Sequence, residues 1–430
     1  MIDYKIANTK AIIGISATIL VILVIILVVI LGRSYVDISA SPSNSIIRIN
    51  NAPVPLDGSG KAKIKVKPGK ATLTVEADGY IGYSQEMILK RGKTFAYSVV
   101  LKKNPIAVVD EIGLTEKSKA TFLSIAEEDN SIFYLSDNGT ALYKAKFQVD
   151  QEKNISIIYN RKISNPPLSG IKDIVWSPKK DAAIFKKDNG AYFFDLKKYN
   201  LVSQEEVKYG EYIGDIAWAP DDSKIAYYYA PPSGEKTLMY SNKINSEPTR
   251  VANFLEMGIE NPYLKWSPDS EWLIVIPRNK DASTNKIYLF NTYKRTFTTV
   301  SDAGNNVEAI FSPDSSKIFY TSYSPDPSNP VKLTLGVMDK DGGNKKDLSV
   351  RALMPKVALL NKNDSDIIVA TYNTEKQRDS LFIYNLAEKK DSGFRINLAA
   401  KMYVNSLCIS NTDEILFYLA DNKLYALSLK

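Results

Sequence analysis

Ala309-Ile-Phe-Ser-Pro-Asp-Ser-Ser-Lys-Ile-Phe-Tyr-Thr321 writes an apolar strand, a polar turn and an aromatic-rich strand within a few residues. Pro presets φ near −65° for a turn, and the Asp and Ser side chains bond the local backbone, so Ser-Pro-Asp-Ser ends the first strand. The same wording recurs at Ile174-Val-Trp-Ser-Pro-Lys-Lys, Ile216-Ala-Trp-Ala-Pro-Asp-Asp and Leu264-Lys-Trp-Ser-Pro-Asp-Ser, and more faintly around Ile125, Leu360 and Ile409. The repeated position is therefore Ile125, Trp176, Trp218, Trp266, Phe311, Leu360 and Ile409. A period of roughly 40 to 50 residues built from short strands is the signature of a β-propeller, one blade per repeat. One blade cannot bury both of its faces, so repeats stack and share a core. The fold class predicted is all-β, with seven blades.

The fifth repeat predicts strands at Val307 to Phe311, Lys317 to Thr321, Leu333 to Asp339 and Lys346 to Ala352. Between the last two lies Val337-Met-Asp-Lys-Asp-Gly-Gly-Asn344, whose glycines can supply positive φ. The Trp-Ser-Pro-Asp and Val-Met-Asp-x-Asp-Gly-Gly-Asn motifs together resemble the repeats of TolB-like propellers over roughly Ala120 to Lys430. That resemblance implies the fold and an extracytoplasmic location, and no particular ligand. Asn361-Lys-Asn-Asp and Ser410-Asn-Thr-Asp depart from it by lacking the turn proline. The last repeat supplies three strands before Lys430. An unpaired blade edge exposes backbone groups, and residues 106–112 (Ile106-Ala-Val-Val-Asp-Glu-Ile112) have the composition to fill that gap as the outer strand of blade seven, within a propeller spanning 104–430.

Ala11 to Leu31 carries no charge, and at 1.5 Å per residue such a run spans a hydrocarbon core. It is too long for a signal-peptide core and lacks a small-x-small cleavage site, which favours an uncleaved helix over 11–32 after a tail at 1–10. Lys5 and Lys10 on one side nearly balance Arg33 and Arg48 on the other, so charge does not orient the span. The family resemblances place the tail in the cytoplasm and the bulk outside, in a single-pass protein of the cell membrane whose helix meets lipid.

Residues 35–103 read as a small all-β unit: Ser45 to Asn50, Lys61 to Lys67, Ala71 to Ala77, Tyr83 to Lys90 and Thr94 to Leu101 are strand-like and separated by Asp57-Gly, Pro68-Gly, Asp78-Gly and Arg91-Gly. Ser41-Pro42, Lys67-Pro-Gly69 and Asp78-Gly-Tyr80 make it resemble the sandwich-like PEGA domain of bacterial envelope proteins, although Asn51 stands where a turn glycine is usual.

The net charge of +7 is concentrated in this small unit, which alone holds eleven Lys or Arg against five Asp or Glu. Lys61, Lys63, Lys65 and Lys67 alternate with Ala62, Ile64 and Val66, so all four lysines share one strand face. That face is either a solvated one whose lysines discourage edge pairing or a patch for anionic lipid or acidic wall polymer. Nucleic acid is not an expected partner of an outward-facing anchored chain.

The chain has no histidine, which removes Ser-His-Asp triads and His-ligated metal sites. Its one cysteine, Cys408, can form no intramolecular disulfide and reads as an inert core residue. No Gly-x-Ser-x-Gly elbow, phosphate loop or dinucleotide fingerprint occurs, so no cofactor and no catalytic residue is predicted. Aligning the repeats puts Asp173, Asp215 and Glu308 three residues before the marker, on the innermost strand, beside Phe122, Tyr263, Val357 and Ser406. The three acids either bind a cation such as Ca²⁺ in a channel or cap strands and hold waters. The tryptophans read as inter-blade filling.

The connections between second and third strands, Pro231 to Glu235, Arg278 to Thr284, Ser322 to Pro330 and Asn373 to Asp379, vary most in length. Loops on a rigid scaffold are where binding concentrates. Tyr229, Arg278, Tyr323 and Tyr372 border them and are residue types favoured at contact hot spots. Two functions follow: a non-enzymatic envelope binding protein or scaffold that meets a protein or glycan, or an extracytoplasmic carbohydrate hydrolase or lyase working through carboxylates.

Overall fold

The structure, a computed structural model, describes residues 33–77, 79–103, 106–108, 121–126, 128–136, 139–164, 167–197, 207–280, 285–301, 305–326, 329–360, 366–373, 378–386, 390–397, 402–421 and 423–429. The expected tail and membrane span at 1–32 lie outside these. No helix among the described residues is long and apolar enough to cross a membrane. The chain divides into two compact units, Met1–Asn104 with Gly393–Ala399, and Pro105–Ser392 with Ala400–Lys430.

The first unit has a sheet of three strands and a sheet of four. Strand Ser34–Ser41 lies at the centre of the smaller one, antiparallel to Lys61–Val66 and parallel to Thr94–Val100. This strand is an addition to the five expected. Its alternation of Val36, Ile38 and Ala40, all buried, with Tyr35, Asp37 and Ser39 has the period of two that marks a half-buried strand. A short strand, Ala52–Val54, is a second addition and forms a hairpin with Ile46–Ile49. Asn50 and Asn51 make its turn at φ of 50° and 65°, and Asn tolerates the left-handed region better than most residues. Glycine is therefore not needed there. The inner faces of both sheets meet in one core containing Val36, Ile47, Leu73, Val75 and Leu89.

The second unit is seven four-stranded antiparallel sheets resembling propeller blades. Their inner strands are Thr121–Ile125, Asp173–Trp176, Ile213–Trp218, Tyr263–Trp266, Asn305–Phe311, Val357–Leu359 and Val404–Ile409, for blades 1 to 7 in order. Ile106–Val108 pairs antiparallel with Lys423–Ser428 and is the fourth strand of blade 7; residues 109–112 are outside the described set. Inner strands of blades 1 to 5 lie side by side in order, as do those of blades 6 and 7, and that of blade 7 lies beside that of blade 1.

Trp176 stacks on Phe133 of blade 1 at 5.1 Å. Trp218 meets Phe193 of blade 2 at 6.4 Å, and Trp266 meets Tyr240 of blade 3 at 5.7 Å. Each tryptophan thus fills the seam with the preceding blade. Most expected strand ends move by one or two residues, and those of one hairpin move further. In blade 5 the second and third strands run as Lys317–Asp326 and Asn329–Asp339, paired out to Asp326 and Asn329. The stretch expected as a loop at 322–330 is largely a longer hairpin, because a two-stranded extension tolerates proline where no further strand pairs.

The turn after each inner strand has one construction. Lys180, Asp222, Ser270, Ser315 and Asp413 occupy the same turn position with φ between 55° and 62°. Buried Ser177, Ser267, Ser312 and Ser410 begin four of these turns. The Ser267 and Ser312 hydroxyls accept the N–H of Trp272 and Lys317, both at 2.9 Å, and Ser410 accepts that of Ile415 at 3.1 Å. Blade 7 keeps the serine and loses the proline. Its replacement residues reach blade 1: the Thr412 hydroxyl donates to Asn130 Oδ1 at 2.8 Å, and Asn411 Nδ2 donates to Asp129 Oδ1 at 3.0 Å. In the Gly-Gly turn of blade 5, Gly342 has φ of +86°, and a Cβ there would sit 2.6 Å from the Val300 carbonyl oxygen of blade 4.

Removing a hydroxyl that satisfies a buried N–H costs about 1–2 kcal/mol. Ser267→Ala and Ser410→Ala should each lower unfolding free energy by that amount in urea titrations. An unchanged midpoint would show that the hydroxyls do not secure the turns.

Candidate functional site

Antiparallel pairing brings the start of each inner strand and the end of each second strand to one end of the blades, as in the pairs Asp173 with Lys186 and Tyr263 with Ile276. Asp173, Asp215 and Glu308 lie at that end with two cations. Lys186 Nζ stands 3.4 Å from Asp173 and 3.5 Å from Asp215. Arg278 is 3.7 Å from Glu308, and its guanidinium lies over the Tyr263 ring at 5.4 Å from the centroid.

Asp215 does more than face a lysine. Its Oδ2 accepts the Leu264 N–H at 2.7 Å, tying blade 3 to the inner strand of blade 4. Asp379 of blade 6 does the same for blade 7, accepting the Val404 N–H at 2.7 Å beside Lys356 at 2.8 Å. Burial holds the Asp215 carboxyl above the usual carboxylate range, against the pull of Lys186 and the Leu264 N–H. Burial likewise raises Glu308, opposed by Arg278 and assisted by the charge of Asp215. Among the described residues no group of three or more Cys, Asp or Glu gathers as a metal site.

A cavity of about 450 Å³ opens between the inner strands of blades 1 to 4, lined by Ser124, Asp173, Asp215, Tyr263, Lys265 and Lys180 among others. Lys265 reaches the water of this channel yet is surrounded by protein, and burial lowers its pKa against the opposing pull of Asp215, Asp173 and Glu308. Lys180 falls to about 8, first through burial and then through repulsion by Lys265, with Cys408 acting in the opposite direction. Cys408 is pushed up to about 12 by burial. Residue types alone did not single out the two lysines. The signal available was their place in the repeat.

On the loop end, Tyr372 is 48% exposed and stacks on Tyr403, itself 46% exposed, at 5.9 Å and 14°. Tyr403 was not among the residues expected from sequence. Arg278 is half-exposed. Tyr229 instead packs against the core shared by blades 2 and 3, and the side chain of Tyr323 lies outside the described residues. In the first unit Lys61, Lys63, Lys65 and Lys67 are all exposed on one side of their strand. Lys63 is 3.8 Å from Asp37, and Lys65 lies over the Tyr35 ring at 5.7 Å.

Residues 33–105 match the PEGA domain family. No curated protein matches the chain. Among solved structures, an oligogalacturonate lyase in complex with manganese matches 84% of this chain and 97% of its own, at 13% identity and a TM-score of 0.52. TolB from Acinetobacter baumannii matches 77% of this chain and 76% of its own, at 14% identity and a TM-score of 0.41. Hydrazine synthase from Kuenenia stuttgartiensis matches 75% of this chain and 99% of its own, at 12% identity and a TM-score of 0.49. The chain thus has a region similar to the PEGA family at 33–105, followed by seven four-strand sheets resembling propeller blades.

The shift at Lys180 has a sign that can be checked. Below pH 8 the folded state carries a disfavoured charge. Between about 8 and the ordinary lysine value of 10.5 the unfolded chain holds a proton the folded chain has shed, so this residue makes stability rise with pH. Lys180→Met should exceed wild type in stability at pH 7 in buffer free of multivalent anions, and the difference should shrink from pH 8 to 10. A difference independent of pH would refute the assignment.

Proposed function

We propose that the protein is a membrane-anchored, extracytoplasmic binding or scaffold protein of the cell envelope, whose propeller engages a protein or glycan through the end carrying the second-to-third-strand loops. The observation that carries this reading is the placement of the stacked Tyr372–Tyr403 pair and the Arg278 guanidinium at that end, half-exposed on strands and strand ends rather than on free loops. Rigid aromatic and arginine side chains give contact area at low entropic cost. The uncharged run at 11–31 supports the anchor. The exposed lysine face of the PEGA domain supports contact with an anionic lipid or wall surface.

A second reading, a carbohydrate hydrolase or lyase, is favoured by one observation: Asp215 and Glu308 are both raised in the same channel, as acids with catalytic roles are. It agrees with the name of the lyase relative, whose likeness at 13% identity extends to the fold alone. Binding is the better reading because these carboxylates are already engaged, Asp215 by Leu264 and Lys186 and Glu308 by Arg278.

Crosslinking and pull-down from whole cells should recover an envelope partner with the intact chain and lose it with Arg278→Ala, Tyr372→Ala and Tyr403→Ala combined. Identical recoveries from both would rule out this end as the contact. Adsorption to an anionic polymer should weaken from about 0.01 M to about 0.15 M salt, as the Debye length shrinks from ~30 to ~8 Å. Changing Lys61, Lys63 and Lys65 to Gln should remove most of it. If the triple variant adsorbs like wild type, the lysine face is only solvated.

A further inference from the structure

Because the seven repeats are seven versions of one inner strand, each can be compared with the other six. The position just before the marker is Ser124, Val175, Ala217, Lys265, Ile310, Leu359 and Cys408. Lys265 is the one charge in that ring. The left-handed turn position is Asp222, Ser270, Ser315 and Asp413 elsewhere but Lys180 in blade 2. There Ser270 and Ser315 accept an N–H of the preceding blade and Asp222 accepts the Trp218 indole N–H; lysine, with no acceptor, can do neither. Two positions that are otherwise uncharged or occupied by short polar residues therefore both hold lysine, and both open on the same cavity of about 450 Å³.

At the channel mouth Lys186 serves both Asp173 and Asp215, and Arg278 serves Glu308, so three carboxylates face two paired cations and their remaining charge draws on Lys265. Neither the Lys265 nor the Lys180 ammonium has a hydrogen-bond or ion-pair partner among the described residues. The two ammoniums also repel one another. Lys265 feels the three acids at a distance, but Lys180 faces no acid; a cation without a counter-charge is costly inside a protein, and attraction to an opposite charge is strong in the same setting.

We infer that the channel between blades 1 and 4 is a binding site for a small oxyanion, a carboxylate or a phosphate, held between Lys265 and Lys180. Lysine ammoniums are point charges with several donors, suited to oxyanions approached from two sides. The cavity has the size of a small-ligand pocket, and its walls are inner strands of four blades. The groups facing Lys180 are Lys265 from blade 4 and the neutral thiol of Cys408 from blade 7; neither supplies the missing negative charge. This site is separate from the loop-end contact proposed above and stands whether or not that contact is found.

Thermal melting and titration calorimetry of the full chain in detergent, with sodium phosphate or sodium citrate replacing sodium chloride at constant ionic strength, test it. At least one of the two anions should raise the Tm and bind at a single site. A response to phosphate alone assigns a phosphate ligand, and one to citrate alone a carboxylate. Lys265→Met and Lys180→Met should each weaken that binding at least tenfold, while melting without the anion no lower than wild type. The proposal is overturned if neither anion binds, if both variants respond like wild type, which would place the anion elsewhere, or if the variants melt well below wild type without anion, which would make the lysines structural counter-charges to the acids.

Discussion

Every blade has two apolar faces and only its neighbours to cover them, so the seventh blade has to meet the first. That seam is the constraint on which the second unit depends. Ile132, Tyr134, Ala145 and Phe147 of blade 1 pack with Ile415, Phe417, Leu419, Leu424 and Ala426 of blade 7 into one core. Burying side chains of this size is worth about 1.5–3 kcal/mol apiece relative to exposure. The seam is also where the chain departs from its own repeat. Ile106–Val108 lies far in sequence from the strand it completes, and Asn411 and Thr412 replace the usual proline and acid. Their hydrogen bonds to Asp129 and Asn130 cross the join, which a proline could not do because its side chain carries no donor or acceptor.

Once closed, the ring fixes the inner strands, and the chemistry of the channel follows from their register. Inner strands leave N–H groups facing the adjacent blade, and two acids answer them: Asp215 for Leu264 and Asp379 for Val404. A carboxylate used this way must also be neutralised, and Lys186 and Lys356 do so. Of the three acids that a reader of the sequence would offer to a cation, Asp215 is thus part of the backbone joinery between blades, and Glu308 is held by Arg278 of the preceding blade. The raised pKa values of Asp215 and Glu308 express the cost of burial and do not by themselves require a chemical role.

What could be read in the sequence was what repeats. The marker positions, the turn after each inner strand and the seam-filling tryptophans are visible because each occurs several times, and a repeated error is improbable. Strand Ser34–Ser41 was missed although its alternation is clean, because it follows directly on a long apolar run and has no turn signal before it. The hairpin in blade 5 was cut short because its prolines read as a loop, whereas in an extension with no outer neighbour they cost no ladder bond. Asn50-Asn51 made a turn without glycine for the reason given by their side chains. Side-chain partnerships were the least legible. That Tyr372 pairs with Tyr403, or that Lys186 serves two acids, depends on contacts between blades that no local pattern encodes.

The two ends of the blades differ in how much sequence freedom they retain. At the turn end a buried serine, a left-handed residue and links such as the Asp221 and Asp269 N–H groups donating to Ser270 and Ser315 of the next blade bind neighbours together. A substitution there disturbs two blades. At the loop end the connections differ in length from blade to blade, and the links between blades are made by side chains such as Asp215, Arg278 and the Tyr372–Tyr403 pair, of which Arg278 and the two tyrosines remain half-exposed. Lys180 departs from this pattern, since it places an unpaired charge at the turn end, where Ser270 and Ser315 in the equivalent turns accept an N–H of the preceding blade. A ligand answering that charge would touch strands from several blades at once, and anything that binds only the folded state adds RT ln(1 + [L]/Kd) to its stability. The site that weakens the bare ring is therefore placed where its occupant would strengthen it.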